Sequence, residues 1–259
     1  MSAQIELAMR TLGFKWTSAD ADHALDMVLV EGTNGRPYAF GEGKDTRLIE
    51  VPSFFIATVP VTRALWTHVM GAENNPSISR RNELPVENVS WNDITGPDGF
   101  LDRLNKSDVR AQLVAHVPGG RGAFRLPTET EWEYAARGGP HWREGFRFSG
   151  SNDIDLVAWY DRKGGDETHE VAQKAPNQLG IYDMSGNVWE WCQDSFRHDV
   201  SAIPADGSAF ADDGAERVLR GGCFHNWAIH CTVSKRYQIE RDYHDGCIGF
   251  RLVLSVAES

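Results

Sequence analysis

The stretch from Gly180 to Trp191, GIYDMSGNVWEW, constrains the fold of this chain more than any other. A Ser-Gly pair in it favours a tight turn, and the residues that follow favour a strand. Because side chains alternate along a strand, Val188 and Glu190 would point to one side, and Trp189 and Trp191 to the other. The segment therefore predicts a strand that places two tryptophans in the core and a carboxylate on its opposite face.

The same stretch also carries oxygen ligands for a hard cation. Asp183, Gly186, Val188 and Glu190 would offer two carboxylates and two main-chain carbonyls, a mixture that Ca²⁺ accepts. The alternative is a hairpin turn in which Glu190 caps a loop and no metal is bound. The spacing by itself leaves both interpretations open.

Composition excludes several classes of partner and site. The chain has 259 residues and a formal charge of −11, with no run of Lys and Arg, so neither nucleic acid nor an anionic membrane is the expected partner. The amino-terminal residues lack the pattern of a signal peptide and no apolar run reaches transmembrane length, which makes the cytoplasm the default location, with surface display through another factor left open. The cysteines show no CxxC spacing and are expected to be buried free thiols; they are Cys192, Cys223, Cys231 and Cys247.

Local patterns predict short helices and strands separated by loops. A helix is expected over residues 1–12 and strands over 27–32, 47–51 and 53–61. Thr62 and Ser90 are expected to cap further helices, the second broken at Gly96-Pro97. Thr128 and Glu131 form a capping box before a helix whose buried stripe is expected at Trp132, Ala135 and Ala136, and residues 197–216 form a surface loop.

Several motifs occur in the order found in one family. MVLVEG, PVT, LPVENVSW, RLPTETEWEYAARGG, GNVWEW and GFRLV together resemble the formylglycine-generating enzyme, or sulfatase-modifying factor, superfamily over residues 26–254. The resemblance implies an α+β, loop-rich, C-type-lectin-like fold as a single domain over 1–259. It also implies a structural calcium ion at Asp183, Gly186, Val188 and Glu190.

The enzymes of that family use two cysteines that hold copper between thiolates. The matching positions after the RGG turn are Asn226 and Cys231, so one thiolate is replaced by an amide. A copper-dependent oxidase with a rearranged thiol pair, Cys231 with Cys223, is the enzymatic alternative. Because an amide oxygen is a poor ligand for a soft two-coordinate metal, the sequence favours a protein without this catalytic site.

Residues 222–251 resemble the variable region of target proteins of diversity-generating retroelements, which use the same fold. Fixed points of that pattern are Gly221, Gly222, Ala228, Cys231, Val233, Arg236, Asp242, Ile248, Gly249, Phe250 and Arg251. Between them lie residues predicted to form a ligand-binding face: Phe224, His225, Asn226, Trp227, Ile229, His230, Lys235, Tyr237, Gln238, Ile239, Glu240, Tyr243, His244 and Asp245, with Gly246 and Cys247 also at variable positions.

The preferred hypothesis is a non-enzymatic binding protein whose variable face contacts an unknown protein or cell-surface ligand. A family member that serves only as a scaffold is a further alternative. Histidines and cysteines of the segment could instead form a transition-metal site, although their spacing matches no standard zinc motif; they are His225, His230, Cys231, His244 and Cys247.

Overall fold

Two antiparallel-rich sheets carry most of the strands of the protein. The computed structural model describes residues 10–18, 21–117, 121–161 and 165–255. The strands of the first sheet are β1 (Thr11–Thr17), β2 (Asp22–Val30), β5 (Phe54–Ala57), β6 (Phe124–Arg125) and β11 (Val253–Ser255), and β3 (Tyr38–Glu42) with β4 (Asp45–Ile49) forms a separate hairpin. The first sheet has the order β1-β2-β5-β11-β6, so a strand from the carboxyl end lies between strands from the amino-terminal half.

The second sheet positions the carboxyl-terminal segment. Its strands are β7 (Trp189–Ser195), β8 (Glu216–Arg220), β9 (Arg236–Glu240) and β10 (Ile248–Gly249), in the order β10-β7-β8-β9. Strand β10 runs parallel to β7, and β9 is an edge strand. The variable-region-like segment therefore begins after β8, contributes the two outer strands of this sheet, β9 and β10, and ends just after β10, which lies beside β7.

Short helices cover the sheets, and the predicted caps are confirmed. Thr62 Oγ1 accepts the Leu65 N–H at 3.2 Å before α1 (Arg63–Met70), and Ser90 forms a capping box before α2 (Trp91–Thr95). The helix resumes after the Gly-Pro break as α3 (Phe100–Lys106). Three more helices are α4 (Asp108–Val114), α5 (Glu129–Ala136) and α6 (Ile154–Val157).

The amino-terminal helix prediction is wrong where the structure can test it. Residues 1–9 lie outside the described residues, but Leu12 and Gly13 belong to β1, which pairs with β2 over its full length. Leu12 and Phe14 are buried while their neighbours are exposed, which is the alternation of a strand. The predicted strand over 53–61 is also shorter, since β5 ends at Ala57.

Helix α5 is buried on all sides, whereas the sequence predicted one buried stripe. Its capping box is confirmed, with Thr128 Oγ1 accepting the Glu131 N–H and the Glu131 carboxylate accepting the Thr128 N–H. The glutamates of the helix are also buried because arginines neutralise them. Arg236 pairs with Glu129, Arg125 with Glu131 and Arg220 with Glu133, all from other elements, and Arg137 at the end of the helix also pairs with Glu133. Charge pairing thus allows a helix with an acidic sequence to lie inside the protein.

The acidic region between β7 and β8 is a loop, as predicted for 197–216, apart from one 3₁₀ turn at Val200–Ala202 and the start of β8 at Glu216. No helix among the described residues is long and apolar enough to cross a membrane.

Candidate binding face and signature turn

The carboxyl-terminal segment presents large apolar side chains to solvent. The exposed fractions of Trp227, Ile229, Tyr237 and Tyr243 are 68%, 58%, 46% and 43%. Among the described residues, these are four of the seven large hydrophobic side chains that are exposed, although the segment 222–251 is a small part of the chain. Exposed apolar groups gathered in this way are typical of interaction surfaces.

We define the variable face as the exposed and half-exposed side chains of residues 225–245. Besides the four large side chains, it contains His225, Glu240 and His244 as exposed residues and Asn226, His230, Lys235, Gln238 and Asp245 as half-buried ones. The chain reaches this face through a loop with a 3₁₀ turn at Ala228–His230, followed by edge strand β9.

Four fixed points of the variable-region pattern are buried. Cys231, Val233, Ile248 and Phe250 are between 0% and 3% exposed. Main-chain hydrogen bonds anchor the loop as well, since the Asn226 carbonyl accepts the Asp161 N–H at 2.9 Å and the Asn187 carbonyl accepts the Phe224 N–H at 3.0 Å. The backbone of the segment is therefore fixed by contacts that do not involve the exposed side chains.

Three residues depart from the expectation of a freely displayed side chain. Phe224 is buried in the main core, and Ile239 is half-buried against the same core. Tyr237 stacks on Trp189 with ring centroids 5.4 Å apart. The sequence could not show these contacts, because they depend on how the loop after β8 and edge strand β9 pack against the rest of the protein.

The signature turn contains a buried ion pair. The Glu190 carboxylate receives two hydrogen bonds of 2.6 Å from Arg251 and one of 2.7 Å from Trp132 Nε1. Both Glu190 and Arg251 are fully buried, and Arg251 also donates to the carbonyls of Ala57 and Tyr182. This constellation joins β7, helix α5 and the chain after β10.

Asp183 is the second buried carboxyl group of the turn. It accepts the Ala172 N–H at 2.8 Å, and burial raises its pKa to about 6. Gly186 has a φ of +79°, and a Cβ there would lie 2.1 Å from the Trp159 carbonyl oxygen, so only glycine fits. Outside the regular helices and strands of the described residues, no backbone N–H donates a hydrogen bond to the carbonyl oxygen of Gly186 or Val188.

Asp183 and these carbonyls offer oxygen ligands of the kind that a hard cation accepts. Two buried carboxylates face one guanidinium, so Asp183 lacks a full counter-charge, which a bound cation would supply. The Glu190 carboxylate already accepts hydrogen bonds from Arg251 and Trp132, so it could bind a cation only through its remaining lone pairs.

The four cysteines are buried and free, as expected. The structure gathers Cys223, His225 and Cys247, whose sulfur and nitrogen ligand atoms lie within 4.8 Å of one another. It does not gather the larger set considered from sequence, because Cys231 packs with Phe148 and Val157 and His244 contacts Asp93 at 2.8 Å. No sequence signal predicted the approach of Cys223 to Cys247, which are far apart along the chain and belong to no recognised ligand spacing.

The two positions that match the copper cysteines of the resembled enzymes have different surroundings. Asn226 Oδ1 accepts the Cys223 N–H at 3.1 Å and lies 3.2 Å from Cys223 Sγ. Burial raises the pKa of Cys231 to about 12, which disfavours the thiolate. Cys223 lies in the cluster with Cys247, and Cys231 is not part of that cluster.

The fold and the face define a class of protein, the C-type-lectin-like proteins with a sulfatase-modifying-factor core. A solved structure of Treponema denticola variable protein 1 superposes with a TM-score of 0.76 at 27% identity, covering 93% of this chain and 98% of that one. The structure of PvdO from Pseudomonas aeruginosa has a TM-score of 0.69 at 21% identity, covering 94% of this chain and 98% of that one, and shows the same fold.

The family itself follows from the sequence. The family model "Sulfatase-modifying factor enzyme 1-like domain" matches residues 15–256, and this chain belongs to that family. The chaperone protein LppX of Paenibacillus barcinonensis is 34% identical over 221 residues, which are 70% of this chain and 76% of LppX. The formylglycine-generating enzyme of Streptomyces coelicolor is 31% identical over 211 residues; the match covers 74% of this chain but 59% of the enzyme.

Proposed function

We propose that this protein is a non-enzymatic ligand-binding protein of a diversity-generating retroelement, and that the variable face is its binding surface. The observation that carries the proposal is the concentration of exposed Trp227, Ile229, Tyr237 and Tyr243 over a backbone fixed by buried residues. The similarity to a solved variable protein supports it.

The chemistry of the face fits a protein or cell-surface ligand. Aromatic side chains supply large contact area with few rotatable bonds, and they dominate binding energy in many paratopes. His225 and His244 add hydrogen-bonding groups, while Glu240 adds charge at the edge of the face. A net charge of −11 makes nucleic acid an unfavourable partner.

The gene offers the test of the retroelement. We expect a near-copy of the codons for residues 222–251 close to the gene, differing from it mainly at adenines of the copy, together with a reverse transcriptase gene. The stretch that encodes residues 124–139 is the negative control, because no copy of it is expected near the gene. A neighbourhood that lacks both the copy and the reverse transcriptase would refute the proposed origin of the face.

A copper-dependent formylglycine-generating oxidase is the second candidate, and the 31% identity to the Streptomyces enzyme favours it. Because Asn226 stands at one thiolate position, we expect no aldehyde when copper(I)-loaded protein is offered a peptide with a sulfatase-type cysteine motif. Mass spectrometry of the peptide measures this. Turnover that is lost in Cys231→Ser but kept in Cys192→Ser would establish the oxidase and reject the binding protein.

We further propose a structural calcium ion at the signature turn, held by Asp183, Glu190 and the carbonyls of Gly186 and Val188. An ion that binds only the folded state raises the melting temperature, so chelation should lower it. Asp183→Ala combined with Glu190→Ala removes both carboxylate ligands and should make melting insensitive to calcium. A wild-type protein whose melting temperature is equal with calcium and with chelator does not contain the site.

A further inference from the structure

Two thiols and an imidazole meet at one end of the variable face. Cys223 Sγ lies 3.8 Å from His225 Nδ1, and Cys247 lies in the same group of ligand atoms, all within 4.8 Å of one another. In a tetrahedral zinc site, bond lengths near 2.3 Å to sulfur and about 2.05 Å to nitrogen place two sulfurs about 3.8 Å apart and a sulfur and a nitrogen about 3.6 Å apart. The observed separations therefore need only small side-chain movements to surround one ion.

The fold fixes the backbone of both cysteines. Cys223 follows Gly222, which has a φ of +74°, and its N–H donates to Asn226 Oδ1 at 3.1 Å. The Cys247 carbonyl accepts the Trp189 N–H at 2.8 Å, and the Cys247 N–H donates to Asp245 at 2.9 Å. Two distant parts of the chain are thus held in place by the β7-β10 region, so the ligands would not have to be ordered by the metal.

A cavity of about 310 Å³ opens beside the three ligands. His225 and Cys247 line it, together with Phe224, Asp245 and Glu87. Glu87 is 2% exposed; its Oε1 accepts the Ile78 N–H at 2.6 Å, but its Oε2 has no hydrogen-bond partner among the described residues. A buried carboxylate oxygen without a partner is costly, and here it lines the space next to the thiols.

We propose that Cys223, Cys247 and His225 bind a zinc ion, with the fourth position open to the cavity that Glu87 lines. Two thiolates and a neutral imidazole balance the charge of Zn²⁺, which suits a site with two buried ligands. Three protein ligands and an open position would let the ion accept water or a donor group of a bound ligand. The ligand set differs from the copper positions of the family, Asn226 and Cys231, although Asn226 Oδ1 lies 3.2 Å from Cys223 Sγ.

Zinc binding by the full-length protein tests the site. The protein is reduced, loaded with zinc in the absence of oxygen and passed through a gel-filtration column. It should then retain about one zinc per chain, which mass spectrometry of the metal measures. Cobalt(II) in place of zinc should give thiolate-to-metal charge-transfer absorption and the visible bands of tetrahedral coordination. Because a metal ion displaces the protons of thiol ligands, loading should release protons from Cys223 and Cys247.

Variants separate the site from an effect on folding. His225 is exposed, so His225→Gln should fold normally and lower zinc affinity by at least about tenfold. Cys247→Ser should remove one thiolate and weaken the cobalt charge-transfer band. The matched controls, His230→Gln and Cys192→Ser, alter the same residue types outside the cluster and should bind zinc as the wild type does.

Two results would overturn the proposal. One is zinc binding that is absent in the reduced wild type, or equal in His225→Gln and His230→Gln. The other is a Cys223–Cys247 disulfide in the isolated protein with no metal bound after reduction, which would make the pair a redox couple. Neither result bears on the retroelement, which the gene neighbourhood tests independently.

Discussion

Replacement of Glu190 by Gln probes the ion pair that joins the signature strand to the carboxyl-terminal end of the variable segment. Arg251 is fully buried and donates two hydrogen bonds of 2.6 Å to Glu190. In Glu190→Gln, the guanidinium keeps its contacts to the Ala57 and Tyr182 carbonyls but loses its hydrogen-bonded carboxylate partner. Asp183 remains as a buried carboxylate near Arg251, but among the described residues no hydrogen bond joins the two, so the charge of Arg251 is only partly compensated.

Removal of one partner of a buried ion pair typically destabilises a protein by about 3 to 5 kcal/mol. For a chain of this size that corresponds to a fall in melting temperature of about 10 °C. Glu190→Gln with Arg251→Met removes both charges, and we expect it to recover part of the loss. The exposed pair of Asp102 with Lys106 is the matched control, and Asp102→Asn should leave the unfolding curve unchanged.

Denaturant unfolding followed by tryptophan fluorescence measures these differences, with calcium and with chelator. A destabilisation of Glu190→Gln that is the same in both conditions assigns the role of the carboxylate to Arg251. If the difference between wild type and variant vanishes in chelator, calcium is the main partner of Glu190. A destabilisation below about 1 kcal/mol in both conditions refutes the expected loss, because it would mean that Asp183 alone neutralises Arg251 and that the hydrogen-bonded pair with Glu190 adds little.

Two further predictions use burial and ionisation. Simultaneous replacement of Trp227, Ile229 and Tyr243 by Ser should change the unfolding free energy by less than about 2 kcal/mol, because these side chains are exposed. Replacement of the buried Trp132 by Ala should lower it by about 3 to 5 kcal/mol. Equal losses of the two variants in denaturant titrations would show that the face belongs to the core. Burial raises the pKa of Asp194 to about 7, so the folded state binds its proton more tightly than the unfolded chain, whose value is about 3.9. Stability from this group is present below about pH 4 and lost as pH rises towards 7, by roughly 4 kcal/mol at most, and Asp194→Asn should flatten that part of the pH profile of unfolding.

The sequence by itself determined the helix starts and the family. Each capping hydroxyl accepts a hydrogen bond from a backbone N–H three residues later, as seen at Thr62, Ser90 and Thr128. The local sequence therefore contains all the atoms that form each cap. The glycine at position 186 is required in part by the local turn, whose φ of +79° favours glycine, and in part by the Trp159 carbonyl, which comes from a distant part of the chain. The pattern also separated most of the buried fixed points from the exposed positions, with exceptions: Phe224 and Cys247 are buried, and the fixed point Asp242 is exposed.

Only the tertiary structure decided the identity of strand β1, the burial of helix α5 and the partners of the charged groups. Leu12 fits an apolar stripe of a helix as well as one face of a strand, and pairing with β2 selects the strand. From the sequence alone, the glutamates of α5 would be expected at the surface. They are buried because arginines from other elements form ion pairs with them. Contacts such as Glu190 with Arg251, and Cys223 with Cys247, depend on how strands β7 and β10 pair, which no local pattern specifies.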